Sequence, residues 1–254
     1  MSRSIWTRCE GSSRLRAIEA DAWRVVESQH IVSTRKLVDS DAEQAVLEEL
    51  IDRVKPPMPV GDGFAGLHYL LSAPFRHPPL RYGSRFGTTT ERGLWYGSLD
   101  LETCLAEVAY YRLVFLQGTA ARIAPITVEL TAFAARVRTR KGIDLSRAPF
   151  RAYERELASR TSYRATHAIG ADMRAAGVAA FIFVSARAPK RGKNIALFEP
   201  AFASKSPRRF ESWIATVDDD KVELGKKTFG ARAPGFRFDR GIFEVAGKLP
   251  APST

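Results

Sequence analysis

The sequence predicts an α+β fold: a compact central β-sheet core with flanking helices, preceded by an N-terminal helical extension. Three observations predict it. Residues 178–184, VAAFIFV, form an unbroken apolar run of strand length, the pattern of a strand buried on both faces. Two segments, 99–112 and 163–176, follow residues suited to cap helices. Apolar residues make up 45% of the 254 and aromatics 10%, ample for a core and too much for a disordered chain.

Taken in order, Leu15, Ile18, Ala22 and Val25 recur at spacings of three and four, which predicts helix from residue 12 to about 52. Within that stretch, Ala45, Leu47, Leu50 and Ile51 mark a second helical run over 41–54. VKPPMPVGDG, 54–63, then stops the helix. The chain thus divides into a helical extension, 1–60, and a main domain, 61–254. In that domain 94–97 reads as a short strand. The helix over 99–112 takes Ser98 as N-cap, with Asp100 and Glu102 in the first turn, where negative charge is favoured. Residues 124–133 alternate as a strand, and the helix 163–176 sits between Ser162 and Gly177. A further strand is expected at 194–202, and an irregular or hairpin tail at 228–245.

Composition narrows the class. No apolar run reaches the ~20 residues of a membrane span, and the N-terminus lacks the apolar core of a secretory signal. Cys9 and Cys104 have no metal-like spacing, so a cytoplasmic protein with free thiols is expected. The net charge of +11 is uneven: residues 1–110 hold 13 Lys/Arg against 15 Asp/Glu, the rest 26 against 13. The basic stretch 136–164 reads either as a surface for an anionic partner or as a solvated positive face. Direct nucleic-acid binding is not expected, because no helix-turn-helix, zinc-finger or aromatic RNA-binding motif accompanies the charge.

Common catalytic signatures are absent. There is no GxxxxGK[ST] and no GxGxxG after a strand, and the serine of GSRFG, 83–87, stands one place too early for a hydrolase elbow. The four histidines neither pair at i,i+4 nor have cysteine partners, so no metal is expected. The cluster that remains is RYGSRFGTTTERGLWYGSLDLETCLAEVAYYR, 81–112. Arg85, Tyr96 and Glu107 follow one another at intervals of eleven. Glu107 lies at the edge of the apolar stripe of Leu101, Leu105 and Val108, where a carboxylate is costly unless paired or used. Arg85 is the obvious partner, and position alone fits a structural Arg–Glu pair equally well. Tyr96 beside Trp95 also fits core packing, and Ser185 a strand-end cap.

NAD⁺ cleavage gives the cluster a chemical use. Breaking the nicotinamide–ribose bond leaves an oxocarbenium-like centre that a carboxylate can stabilise. Nicotinamide leaves as a neutral base, so little acid catalysis is needed. Arginines suit the pyrophosphate, and aromatic rings can stack on the bases.

With FIFVSARAPKRGKNIALFEP, 181–200, the cluster resembles the RES-domain family of toxins, over about residues 64–203. That resemblance implies a fold like ADP-ribosylating toxins, NAD⁺ as substrate and no metal. It implies a cognate Xre-like helix-turn-helix antitoxin covering the active site. It also implies cleavage of NAD⁺ with water, phosphate or a protein as acceptor of ADP-ribose. Carried over by motif, Glu107 is the expected catalytic carboxylate and Arg85 contacts the dinucleotide. Tyr96 lines the nicotinamide side, and Ser185 faces the ligand. The family's Arg-Tyr-like pair on the first strand has its nearest counterpart in His68-Tyr69 of GLHYLLSAPFR, with histidine in place of arginine. A His-Tyr start is closer to the diphtheria-type transferases and favours transfer to a protein. Arg76 or Arg81 would then supply the missing positive charge.

Overall fold

The structure, a computed structural model, describes residues 4–28, 38–61, 63–77, 83–120, 123–228 and 234–250. The fold is α+β. The described helices are α1 (Ile5–Arg8), α2 (Asp41–Val54), α3 (Tyr69–Arg76), α4 (Leu101–Gln117), α5 (Glu154–Leu157) and α6 (Arg164–Ala175). The strands are β1 (Arg16–Glu27), β2 (Trp95–Ser98), β3 (Ile126–Asp144), β4 (Ala180–Val184), β5 (Lys193–Leu197), β6 (Arg208–Val217), β7 (Lys221–Lys226) and β8 (Gly235–Asp239).

The first strand corrects the helical reading of the N-terminal segment. Residues 16–27 form β1, which pairs antiparallel with β3 from Arg16 opposite Gly142 to Glu27 opposite Leu130. The spacing misled because a step of four serves a strand as well as a helix. Ile18 and Ala22 are both buried, on one face, while Leu15 is 37% exposed. The β-branched and aromatic run Trp23, Val25, Val26 favours the pleated form. Among the described residues of that stretch α2 is the α-helix, with Ser40 accepting a hydrogen bond from the Glu43 N–H at its start; residues 29–37 of the stretch lie outside the described residues.

All eight strands belong to one sheet, ordered β1-β2-β5-β4-β3-β6-β7-β8. An added β1–β3 pairing closes the first five strands into a circuit. The last three form an antiparallel meander on β3, whereas β3 and β4 run parallel, joined through α5 and α6. β3 continues past residue 133 to Asp144, with Ala135 and Val137 buried between arginines. β6 and β7 have no counterpart in the sequence reading; β8 falls in the expected tail and hairpins with β7.

Two clusters of core side chains hold the site elements. On α4, Leu105, Ala109 and Leu113 are fully buried and pack with Leu130, Trp213 and Leu224 of the sheet. On α6, Ile169 and Met173 pack with Phe86, Phe181 and Phe183. Phe86 meets Phe181 and Phe183 edge-on, each at 4.7 Å between ring centres. Burial of each such ring stabilises the fold by about 1.5–3 kcal/mol.

Candidate functional site

Asp100 immediately precedes α4. Its Oδ1 accepts the Thr103 N–H at 2.7 Å and its Oδ2 the Thr103 hydroxyl at 2.8 Å. Asp100, rather than Ser98, is therefore the N-cap. Ser98 ends β2 and donates instead to Asn194 Oδ1 of β5 at 2.7 Å. This orients the buried Asn194 amide so that Nδ2 donates to Glu107 Oε1 at 2.6 Å. Ser185, the residue after β4, donates to the same oxygen at 2.6 Å. The Ser185 hydroxyl oxygen accepts the N–H groups of Arg187 at 3.0 Å and Ala188 at 2.8 Å, so its own proton is committed to Glu107. Oε2 takes no hydrogen bond or ion pair among the described residues. The carboxylate is thus fixed by two neutral donors on one oxygen, with the other available.

Arg85 does not pair with Glu107. It projects from a tight turn in which Ser84 and Gly87 bridge across Arg85 and Phe86. Gly83 permits this turn: its φ is +72°, and a Cβ there would lie 2.5 Å from the Gly87 carbonyl oxygen. The turn sends Phe86 into the core and Arg85 to the loop before α6. There Nη1 donates to the Ser159 carbonyl at 2.9 Å, and the guanidinium lies 4.9 Å from the Tyr163 ring centre. Tyr96 braces the turn from β2: its hydroxyl shares a hydrogen bond with Ser84 at 2.9 Å and accepts the Phe86 N–H at 3.1 Å. Burial pushes its pKa up to about 12, so it is a neutral donor at ordinary pH. His167 of α6 grips the same turn through the Ser84 carbonyl at 2.8 Å.

These groups surround an open cleft of about 840 Å³, lined among others by Arg24, Arg85, Tyr96, Glu107, Tyr163 and Asn194. Arg24 and Asn194 were not among the residues singled out from the sequence. Arg24 stands on β1; its Nη1 donates to the Tyr96 carbonyl at 2.6 Å, its Nε is buried without a partner among the described residues, and burial lowers its pKa. Neither Arg24 nor Arg85 has a carboxylate partner among the described residues. The signal for Arg24 was present in AWRVV, but the helical reading of that segment hid it. Asn194 had a plainer signal, an amide in an otherwise apolar strand, which must find partners once buried.

His68 and Tyr69 correct the reading of the first strand. They are not on a strand: His68 is the N-cap of α3, its Nδ1 accepting the Leu70 N–H at 3.2 Å, and Tyr69 stacks beside it with 51% of its surface exposed. Neither lines the cleft. The first strand is β1, and the arginine it presents is Arg24. Arg76 donates to the Pro56 carbonyl and lies 3.8 Å from Asp52, so it is engaged away from the cleft. Arg81 lies outside the described residues. Part of the basic stretch is neutralised by β1, where Glu19 pairs with Arg136 at 2.9 Å and with Arg138 at 2.7 Å.

Fold and cleft define an α+β protein whose candidate site joins one carboxylate, held by neutral donors, to arginines without a carboxylate partner among the described residues. The RES domain model matches residues 61–218, more than half of the chain, and the chain belongs to the RES-domain family. This domain is associated with NAD⁺-utilising toxins. Arg85, Tyr96, Glu107, Ser185 and Asn194 all fall inside the match; β1 with Arg24 precedes it. No curated protein matches the chain. No helix among the described residues is long and apolar enough to cross a membrane.

Proposed function

We propose that the chain cleaves the nicotinamide–ribose bond of NAD⁺, with Glu107 as the catalytic carboxylate. The supporting observation is the arrangement of Glu107: Ser185 and Asn194 fix Oε1, while Oε2 and its charge stay available in a cleft with two uncompensated arginines. In the reaction the C–N bond breaks, its electron pair leaves with nicotinamide, and the ribose carbon becomes cationic. Glu107 stabilises that cation and accepts a ribose hydroxyl hydrogen bond. Arg24 and Arg85 hold the pyrophosphate, and Tyr96 and Tyr163 offer ring faces to a base. Arg24 takes the part that the sequence assigned to His68. With His68 and Tyr69 away from the cleft, the sequence argument for a protein acceptor lapses, and the proposal rests on bond cleavage itself. In the cell the protein would act as the toxin of a pair, its cleft covered by a helix-turn-helix antitoxin.

The test is nicotinamide release from labelled NAD⁺ by purified protein, in buffer, with phosphate and with lysate. Free ADP-ribose, ADP-ribose phosphate or a labelled protein band then identifies the acceptor. Glu107→Gln keeps an oxygen for Ser185 and Asn194 but loses the charge, so release should fall by about 100-fold or more with the fold intact. Unchanged release in this variant would remove Glu107 from the mechanism.

A further inference from the structure

Arg187 stands two residues beyond Ser185 and does not line the cleft. With 2% of its surface exposed, it is the most deeply buried charged residue among those described. No carboxylate pairs with it among the described residues. Its Nη2 donates to the Tyr110 hydroxyl and to the Arg160 carbonyl, each at 3.0 Å, and its guanidinium lies 3.7 Å from the Tyr110 ring centre. Its Nη1 is buried with no partner among the described residues. Space filling does not account for such a side chain. A methionine would occupy a similar volume without the cost of desolvating a charge. What the arginine adds is reach, because one residue touches both halves of the site.

The main chain of Arg187 serves the carboxylate half. Its N–H donates to Ser185 Oγ at 3.0 Å, and Ser185 donates to Glu107. The side chain serves the arginine half. The Arg160 carbonyl that it holds follows directly on the Ser159 carbonyl, which holds Arg85 Nη1 at 2.9 Å. Arg160 returns the bond: its Nε donates to the carbonyl of Ala186, the neighbour of Arg187, at 3.1 Å. The loop after β4 and the loop before α6 are thus cross-tied in both directions. Tyr110, the third contact, sits one turn after Glu107 on α4. We propose that Arg187 is a positioning residue for the dinucleotide: it fixes Arg85 relative to Glu107 and so places the pyrophosphate relative to the scissile bond. This assignment rests on the proposed roles of Glu107 and Arg85 in NAD⁺ cleavage. A displacement of about 1 Å in such a constellation can cost about 100-fold in rate.

The test is a double-mutant cycle on nicotinamide release by the full chain, with kcat and KM for NAD⁺ measured in the parent and in Arg85→Ala. In the parent, Arg187→Met should lower kcat/KM by about tenfold or more, mainly through a higher KM. Arg187→Lys keeps the charge and a donor but loses the fork, and should lower it by about threefold. In Arg85→Ala both losses should shrink below about twofold, because the residue they act through is gone. Should Arg187→Met fail to melt cooperatively, the Arg187→Lys comparison decides alone. A merely structural arginine would cost the same factor in both backgrounds. That result, or no loss in the parent, overturns the assignment. Glu107→Gln keeps the two failures apart. If it abolishes release while the Arg187 losses are equal in both backgrounds, the positioning role alone falls. If the parent releases no nicotinamide, the NAD⁺ reading falls and this role falls with it.

Discussion

At the scale of single residues, the site is a chain of hydrogen bonds that ends on one carboxylate oxygen. Ser98 orients Asn194, the Arg187 and Ala188 amides orient Ser185, and both side chains then donate to Glu107. Ser185→Ala breaks this twice: Glu107 loses a donor, and two buried N–H groups lose their acceptor. The variant should be destabilised by about 1–3 kcal/mol in urea unfolding, and nicotinamide release should fall as well. A strand-end cap without a chemical role would show the first effect alone. Buried protons also fix the alkaline limit. Burial raises Tyr96 and Tyr110 from 10 to about 12, and Cys104 from 9 to about 12. A raised folded-state pKa means that the unfolded chain releases its proton first. The stability these groups contribute is present below pH 9 and is lost as pH climbs from 9 toward 12. Melting temperature should therefore drop steeply over that window, and Tyr96→Phe should flatten part of the drop.

At the scale of elements, the turn carrying Arg85 depends on a helix that touches it backbone to backbone. A Cβ on Gly170 of α6 would sit 2.4 Å from the Phe86 carbonyl oxygen, and His167, one turn earlier, holds the Ser84 carbonyl. Gly170→Ala must push α6 away from the turn. It should lower stability by about 1–3 kcal/mol in denaturant titration and raise the KM for NAD⁺ more than it lowers kcat. An unchanged KM with the stability loss would mean that the turn does not position the substrate. This dependence also shows which elements the sequence could reveal. Helix α4, β2 and β4 were legible because apolar run and motif residues agree locally, although the cap of α4 is Asp100 and not Ser98. The pairing of Arg85 with Ser159, rather than with Glu107, was not, since the loop before α6 lies 74 residues away. β1 failed for a different reason: a twelve-residue strand with buried positions four apart imitates a helical stripe. That one misreading concealed Arg24 and left His68 as the counterpart of the first-strand arginine. β6 and β7 alternate over solvent-facing charges, so their apolar positions, such as Trp213 and Leu224, stand out only once β3 is seen beside them.

At the scale of the whole molecule, the family match and the folding unit do not coincide. The match begins at residue 61, yet β1 closes the circuit of strands by pairing with both β2 and β3. Removing it would open the ladder along β3 and leave main-chain groups there unpaired. It would vacate the places of Ile18 and Ala22 in one core cluster, and the α1 segment lost with it would vacate those of Trp6 and Cys9 in another. It would also strip Arg136 and Arg138 of Glu19, leaving a basic strand with an unpaired edge. Each loss alone is modest, but they fall on one N-terminal segment and add together, against a net stability of about 5–15 kcal/mol for a typical domain. A chain of residues 61–254 should therefore fail to give a cooperative melt by circular dichroism and should elute as aggregate, whereas 1–254 melts in one transition. Adding the separate peptide 1–60 should restore part of the signal, because the missing strand brings its own pairing edge. A cooperative melt of 61–254 alone, near that of the full chain, would show that β1 only decorates the sheet. Arg24 would then lose its fixed place in the cleft, and the assignment of the first-strand arginine would fall with it.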